Sequence, residues 1–462
     1  MSGTDRDLCA LSLVELAGML ERGETSAIGA TEAVLDRIEL LEPSLNAFAT
    51  VTGDRALARA RELDELHRRG GRVGPLHGVP VTVKDNLPLA GVPTTAGSPL
   101  LRDWVPDTSA LAVARLEAAG AIVVGKTNLW EFAYGAPSTL AGRAVNPWNA
   151  ERTTGASSSG SAVAVAACLG AASLGTDSGG SVRIPASFCG VVGMKPSYGL
   201  LPTGGVIPVS ITLDHVGVLA RAAGDVTAVL AAMVRLERMP AEAGRTRLAR
   251  VRSDALKPLS HGTATVLDAA IDLMGAAGAV VEEVTIPDLD EGCSVKWTIS
   301  GFEAAHYHRE RFGPPSDSYA AGVRRLLEQG QDIRADEYER ALTRRDELRA
   351  ALEAALTGFD ALVLPATPMS APPVDAEVGE TLLATTRCTA LFNVTGAPAL
   401  VVPAGIDGDG LPVGLQLVGR IGSDAALLRL GVAFEERRGP LPPPPAVGAL
   451  ENLAMAEPGR AG

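Results

Sequence analysis

Short β-branched and apolar segments alternate with helical segments along this chain, and that alternation limits the fold more than any other feature of the sequence. The candidate strands span residues 79–84, 121–124, 171–176, 248–251, 279–284, 361–364, 399–402 and 413–417. Helical patterns lie between them, including residues 335–356 and 424–436. Such alternation is typical of a sheet covered by helices on both faces. It predicts an α/β fold, a three-layer α/β/α sandwich around a large mixed, mostly parallel β-sheet.

The number of domains follows less directly from length. A chain of 462 residues favours about three domains, but no linker-like stretch divides the middle. We therefore predict a single domain over residues 1–438. Residues 439–462 contain four consecutive prolines, Pro442 to Pro445, and end in small residues, which predicts a poorly ordered C-terminal tail.

Composition excludes several classes of protein. Hydrophobic residues make up 46% and charged residues 21%, enough for a large core. The five cysteines are scattered without a CxxC pair, which argues against a disulfide scaffold or zinc site and is consistent with a cytoplasmic protein. The net charge of −13 disfavours nucleic-acid binding. The longest small-apolar run, residues 162–172, is far shorter than the ~20 residues that cross a bilayer, so we expect no membrane partner.

One segment matches a phosphate-binding loop by its letters. Residues 120–127, GAIVVGKT, satisfy the pattern GxxxxGK[ST]. A phosphate loop needs flexible residues between its glycines, whereas Ala121 to Val124 form a candidate strand. The segment favours a strand followed by a turn, and an ATP-binding protein remains a remote alternative.

Two glycine- and serine-rich segments have the character of a site. Residues 155–161, GASSSGS, precede an apolar helix, so backbone N–H groups and hydroxyls gather at its positive end; the alternative is a solvated linker. Residues 175–183, GTDSGGSVR, place two glycines before Ser181. This allows a tight turn that directs successive amides at one point, as in an oxyanion hole, although a simple turn after a strand has the same pattern.

Lys84 stands at the end of a candidate strand in a chain that has only five lysines against 36 arginines. Lysine can lose its proton and arginine cannot, so retaining lysine here indicates a chemical role. The alternative is a structural pair with Asp85. The patterns GxSxG and SxxK are absent around the candidate serines, no spacing supports a triad that uses Asp214 and His215, and the six histidines form no metal-binding pattern.

Together these segments resemble the amidase signature family, the serine hydrolases that use a Ser–cis-Ser–Lys triad. The resemblance covers about residues 11–434 and is densest in a signature core at about 78–217. The motifs that carry it are GVPVTVKDN, AGAIVVGKTNLWEFAYG, NPWNAERTTGASSSGSAVAVAA, GTDSGGSVRIPASFCGVVGMKPSYG and ITLDHVG. In this family, the letters AGA are commonly followed by a strand and then by GKTN. This succession explains the apparent phosphate loop.

The resemblance implies roles for individual residues. Ser181 corresponds to the nucleophile, Ser157 to the bridging serine preceded by a cis peptide bond, and Lys84 to the base. The implied oxyanion-hole amides are those of Ser178, Gly179, Gly180 and Ser181, and the implied supporting residues are Ser158, Asp177 and Arg183. Ala156 and Ser159 depart from the family, where glycine is commoner. No metal or organic cofactor is implied.

The resemblance also implies a function, an amidase that acts on a small-molecule amide through a seryl acyl-enzyme. By the same resemblance Phe132, Tyr134 and Ile184 lie at the acyl pocket. None of them neutralises a buried carboxylate, so we expect a neutral apolar or aromatic acyl group. A homodimer is suggested by resemblance alone.

The leading alternative is the glutamine-hydrolysing subunit of a tRNA-dependent amidotransferase, which shares the fold and triad. Ile184 stands where those subunits carry a polar side chain, and residues 386–389, TRCT, lack the acidic residue expected there. Both features favour the stand-alone amidase. An inactive binding homologue is a further alternative, which the intact triad disfavours.

Overall fold

The computed structural model describes residues 7–236, 246–376 and 378–448. The eleven strands formed by these residues belong to one sheet. In chain order, strands β1 to β11 are Phe48–Val51, Pro80–Lys84, Ile122–Thr127, Ala172–Asp177, Val192–Lys195, His215–Ala220, Arg247–Val251, Val280–Val284, Ala361–Pro365, Ala399–Ile406 and Pro412–Val418.

Fourteen α-helices and three short 3₁₀ segments accompany this sheet in the described residues. Helices α1 to α14 are Leu13–Arg22, Ala27–Leu45, Gly53–Arg68, Leu111–Ala118, Ser159–Ala166, Arg183–Cys189, Ala223–Met233, His261–Ala276, Leu289–Phe312, Ala321–Gln331, Ala335–Ala355, Val378–Thr386, Ala390–Val394 and Asp424–Arg438. The 3₁₀ segments are Pro99–Leu101, Glu131–Ala133 and Asp254–Leu256.

The sheet is mixed, with the strand order β1-β3-β2-β4-β6-β5-β10-β11-β9-β7-β8. Parallel pairing occurs in two blocks, β3-β2-β4 and β9-β7-β8. The other six neighbouring pairs are antiparallel; β6 inserts between β4 and β5, and a short turn joins β10 to β11. The α/β class and the large mixed sheet are confirmed, while parallel pairing is confined to these two blocks.

Both faces of the sheet are covered. Successive side chains of a strand point to opposite faces. On β9, Ala361 and Val363 belong to one hydrophobic core, whereas Leu362 and Leu364 belong to another. Helices α8 and α14 contribute to the first core, and α9, α11 and α13 to the second. The three-layer arrangement follows from this alternation.

All eight candidate strands occur in the structure, while β1, β5 and β6 were not predicted. The short β5, with the sequence VGMK, and β6, with HVGVLA, contain glycine, which weakens the strand signal. Because strands of both cores share one sheet, we propose that the chain forms a single domain.

The C-terminal segment differs from the predicted poorly ordered extension in residues 439–448. Val447 is 3% exposed and belongs to the first core. The backbone N–H of Ala446 donates to the carbonyl of Pro147 at 3.2 Å. An apolar side chain in the proline-rich stretch thus docks it on the domain, and residues 449–462 lie outside the described residues. No described helix has the length and apolar character needed to span a membrane.

Candidate active site

The predicted site lies where two parallel strands end side by side. Lys84 is the last residue of β2, and Asp177 is the last residue of β4. The two strands pair in parallel through Thr82 with Ser173 and Val83 with Leu174. Carboxyl ends of neighbouring parallel strands meet at one edge of a sheet, the usual position of ligand sites in α/β folds. Sheet topology therefore brings together two motifs that are about ninety positions apart.

Lys84 is fully buried and makes two short hydrogen bonds. Its Nζ lies 2.7 Å from Ser157 Oγ and 2.8 Å from Thr176 Oγ1. Burial lowers the pKa of Lys84 to about 7, although the negative charges of Asp177 and Asp214 oppose this shift. A substantial fraction of the amine is thus neutral near pH 7 and can accept a proton from the serine that it contacts.

The two serine-bearing segments are joined by backbone hydrogen bonds. The peptide bond between Ala156 and Ser157 is cis, as the resemblance implies. The N–H of Ser158 donates to the carbonyl of Ser181 at 3.1 Å, and Ser158 Oγ donates to the carbonyl of Thr176 at 3.1 Å. Ser158 thus holds the Ser157 segment against both the end of β4 and the turn that carries Ser181.

The Asp177 carboxylate organises the turn after β4. It accepts hydrogen bonds from the N–H of Gly180 at 2.7 Å and of Val182 at 3.1 Å. The Gly180 amide is therefore occupied and is not a free oxyanion donor, which corrects that part of the prediction. Within the described chain, the amides of Ser178, Gly179 and Ser181 have no hydrogen-bond acceptor.

Arg183 supports this turn from inside the core. Arg183 and Asp177 are both fully buried, and Arg183 Nη2 lies 2.9 Å from Asp177 Oδ1. Burial alone would raise the pKa of Asp177, but the Arg183 charge outweighs it and holds the pKa well below the usual range. The guanidinium also donates to Gln416 Oε1 at 2.9 Å and to Asn393 Oδ1 at 2.6 Å. The guanidinium makes its hydrogen bonds to protein atoms, so Arg183 supports the turn.

Gly180 has a backbone conformation and a close contact that exclude a side chain. Its φ is +134°, and an added Cβ would lie 2.4 Å from Thr389 Oγ1. Thr389 Oγ1 also donates to the carbonyl of Gly179 at 2.6 Å, which fixes the same turn from the second half of the chain. The glycine pair seen in the sequence thus has a steric reason.

Gly180→Ala is expected to lower kcat by about 10²-fold, because the displaced turn misorients Ser181. Gly199→Ala is the matched control, since Gly199 also has a positive φ, +80°, but no atom within 4 Å of an added Cβ. Steady-state kinetics of both variants test this. Near-wild-type kcat for Gly180→Ala would contradict the steric requirement.

Two other side chains near the turn exclude a histidine triad. Ser178 Oγ donates to Asp214 Oδ1, and burial raises the pKa of Asp214 to about 6. His215 directs Nδ1 at the carbonyl of Leu213, 2.7 Å away, rather than at Asp214. The Asp214–His215 pair therefore does not form a Ser/His/Asp arrangement.

The three predicted acyl-pocket residues are all buried but differ in whether they line a cavity. Tyr134 lines a cavity of about 440 Å³ whose walls also include Trp297 and Leu382. Phe132 is fully buried in an aromatic cluster, with its ring 4.5 Å from that of His308, so it packs in a core and does not line this cavity. Ile184 is 2% exposed and packs behind the Gly180 turn. Phe132 and Tyr134 belong to the same hydrophobic cluster, and of the two Tyr134 also lines the cavity.

The apparent phosphate loop is part of the sheet. Gly125, Lys126 and Thr127 lie within β3, and Lys126 Nζ binds Asp85 Oδ1 and Thr94 Oγ1, each at 2.8 Å. Because the segment is a strand, its backbone cannot surround a phosphate, and its lysine is fully buried and already paired. The pair also excludes Asp85 as the partner of Lys84.

Lys126→Met is expected to destabilise the fold by about 3–5 kcal/mol, because it leaves the buried Asp85 carboxylate unpaired. Urea unfolding measures this loss, and the double variant with Asp85→Asn is the control that should recover part of it. If the wild type bound ATP and Lys126→Met abolished that binding without a loss of stability, the structural role would be wrong.

The sequence motifs did not predict several contacts of the site. Thr176 lay inside a motif, but its bond to Lys84 depends on strand pairing. Thr389 and Asn393 contact residues more than 200 positions away. No group of three or more His, Cys, Asp or Glu side chains in the described residues is arranged to hold a metal ion.

Comparison with known proteins identifies the family. A family model described as Amidase matches residues 29–428. A glutamyl-tRNA(Gln) amidotransferase subunit from Thermosynechococcus vestitus is 36% identical over 91% of this chain and 97% of its own length. The chain therefore belongs to the amidase family, as its motifs predicted, and to a class of enzymes that hydrolyse amides.

Solved structures agree with this assignment. A crystal structure described as an amidase is 37% identical, with a TM-score of 0.85 over 93% of this chain and 100% of the other. The native peptide amidase from Stenotrophomonas maltophilia is 32% identical, with a TM-score of 0.84 over 94% of this chain and 98% of the other. The fold and the family are thus supported independently.

Proposed function

We propose that this protein hydrolyses a carboxylic amide through an acyl-enzyme on Ser181. The observation that carries the proposal is the hydrogen bond between Lys84 Nζ and Ser157 Oγ, 2.7 Å long and buried at the edge of the sheet. An amine with a pKa of about 7 is suited to general-base work near neutral pH.

In the first half-reaction, neutral Lys84 accepts the proton of Ser157 as Ser157 accepts that of Ser181. Ser181 Oγ attacks the amide carbonyl and a C–O bond forms. The negative charge that develops on the carbonyl oxygen is stabilised by backbone N–H groups of the turn, for which the amides of Ser178, Gly179 and Ser181 are the available donors. Ser157 then protonates the leaving nitrogen as the C–N bond breaks, and it recovers a proton from Lys84, which becomes neutral again.

In the second half-reaction, water attacks the acyl-enzyme and gives up its proton through Ser157 to Lys84. The tetrahedral intermediate collapses, Ser181 leaves with a proton, and the carboxylic acid is released. The two steps return every group to its starting protonation state, so the relay requires no external proton carrier beyond water.

Glutamine hydrolysis within a tRNA-dependent amidotransferase is the second candidate function. It is supported by the relative from Thermosynechococcus vestitus, which is named for a glutamyl-tRNA(Gln) amidotransferase and aligns over nearly all of this chain. The proposed relay serves both candidates equally. Of the three residues behind the expected apolar or aromatic acyl preference, Tyr134 lines the cavity of about 440 Å³, but no triad residue does, so this cavity is no basis for restricting the acyl group to apolar ones.

Ammonia release from purified protein tests the proposal. The substrates are phenylacetamide and glutamine, and Ser181→Ala is the background control. Release above that background from phenylacetamide supports a stand-alone amidase. Greater release from glutamine, together with small proteins that co-purify, favours the second candidate. The absence of release above background from either amide and from a wider panel of alkyl amides would overturn the proposal.

A further inference from the structure

A buried ammonium group approaches the turn of the proposed active site from helix α9. Lys296 is 4% exposed, and its Nζ lies 3.4 Å from the centroid of the Trp297 ring. A Cβ added to Gly179 would lie 2.8 Å from Lys296 Cε and 3.4 Å from Nζ. The side chain thus rests against the turn that carries the free amides of Ser178 and Gly179.

Lys296 differs from the other buried lysines in its partners. Lys84, Lys126 and Lys195 each donate at least one hydrogen bond to a protein oxygen. In the described part of the chain, Lys296 Nζ has no hydrogen-bond acceptor and no carboxylate oxygen within 4.0 Å, and the Trp297 face is its close electrostatic contact. Burying a charge without an anionic partner is unfavourable, so this position is explained best by a partner that arrives with the substrate.

The nearby carboxylates are already engaged. Asp177 is paired with Arg183, and Asp214 accepts hydrogen bonds from Ser178 and from the N–H of Val209 at 2.9 Å. Burial lowers the pKa of Lys296 to about 8, although Cys293, Asp214 and Asp177 oppose the shift. Most of the amine therefore remains charged at pH 7.

Trp297 is shared by this ammonium and the cavity that Tyr134 lines. Trp297 lines the cavity of about 440 Å³ together with Tyr134, and its ring also contacts Lys296. An amide held at Ser181 lies two positions along the turn from Gly179, against which Lys296 packs.

We propose that Lys296 binds a carboxylate of the substrate and selects amides that carry one, such as monoamides of dicarboxylic acids. This inference rests on the proposed amide hydrolysis and adds the class of substrate. An ammonium donating to a carboxylate in a buried site forms a charge-assisted hydrogen bond. A neutral amide of the same shape would leave the lysine unpaired. Discrimination therefore comes both from the ion pair formed with the charged amide and from the unpaired lysine that the neutral amide leaves.

Matched substrate pairs test the inference. Malonamate, succinamate and glutaramate are compared with acetoacetamide, 4-oxopentanamide and 5-oxohexanamide, in which a methyl group replaces one carboxylate oxygen. For at least one chain length, we expect the wild type to prefer the carboxylate by about 10- to 100-fold in kcat/KM. Lys296→Met should abolish this preference, mainly through KM, with less than about threefold change for the neutral amide.

Lys296→Arg should retain part of the preference because it keeps the charge, and Lys296→Gln is the second neutral variant if Lys296→Met does not fold. Lys257→Met is the control, since Lys257 is exposed and pairs with Asp254. Equal turnover of both members of every pair would overturn the inference. So would an equal loss for charged and neutral amides in Lys296→Met and Lys296→Gln, which would mean that Lys296 stabilises the oxyanion or the turn.

A binding measurement separates this inference from the proposed function. Calorimetry should show that the Ser181→Ala protein binds the three carboxylates. In the double variant that combines Ser181→Ala with Lys296→Met, this binding should be at least about tenfold weaker. If the wild type hydrolyses no amide but this difference is found, the proposed reaction fails and the carboxylate site stands. If neutral amides are hydrolysed and neither kinetics nor calorimetry favours a carboxylate, the Lys296 inference fails alone.

Discussion

Ser181→Ala is expected to lower kcat by roughly 10⁴- to 10⁶-fold, because it removes the oxygen that forms the acyl-enzyme. The fold should be preserved, since Ser181 is partly exposed and its backbone carbonyl, which holds Ser158, remains in the variant. Single-turnover ammonia release and thermal unfolding together measure the two effects.

Covalent labelling checks the same assignment without a known substrate. A fluorophosphonate should add one label to the wild type, which peptide mapping places on Ser181. Ser318→Ala is the control, because Ser318 is an exposed serine outside the site. Full labelling of Ser181→Ala would mean that another serine is the nucleophile.

Lys84→Met is expected to lower kcat by about 10²- to 10⁴-fold, the range of a lost general base. Lys84→Arg should be similarly impaired, since arginine keeps its proton. The pKa of Lys84 is about 7, and the neutral amine is the active form. Wild-type kcat/KM should therefore rise with pH through about 7 and then level off.

The pH profile and a control lysine make this prediction specific. Lys257→Met should keep the wild-type rate and profile, since its ammonium is exposed and pairs with Asp254. The rise near pH 7 should be absent from the residual activity of Lys84→Met. Retention of near-wild-type kcat by Lys84→Arg would contradict a role that requires loss of the proton.

Carboxylate recognition by Lys296 would also bear on the choice between the two candidate functions. Glutamine carries a carboxylate as well as a primary amide, so a preference for charged substrates is compatible with either candidate. Chain length separates them, because a site fitted to malonamate or succinamate holds the carboxylate closer to the amide than glutamine does. The substrate panel therefore addresses recognition and function together.

Features that depend on a local pattern could be predicted before the fold was known. Eight strands were predicted from short apolar runs, and the motifs around Lys84, Ser157 and Ser181 identified the family. Those signals are local because strand formation, the glycine turn at Gly180 and the apolar character of β3 each depend on a few adjacent residues. The phosphate-loop match could be set aside for the same reason, since a strand was visible between its glycines.

Contacts between distant groups became visible in the folded chain. The bond of Lys84 to Thr176 follows from the pairing of β2 with β4, and Arg183 of α6 reaches Asn393 of α13 across 210 positions of the chain. The position of Tyr134 at a cavity and the docking of Val447 also depend on packing. The position of Lys296 beside Gly179 had no sequence signal, because the residues are more than a hundred positions apart. Strand order and helix packing set such contacts, and neither is encoded in a local pattern.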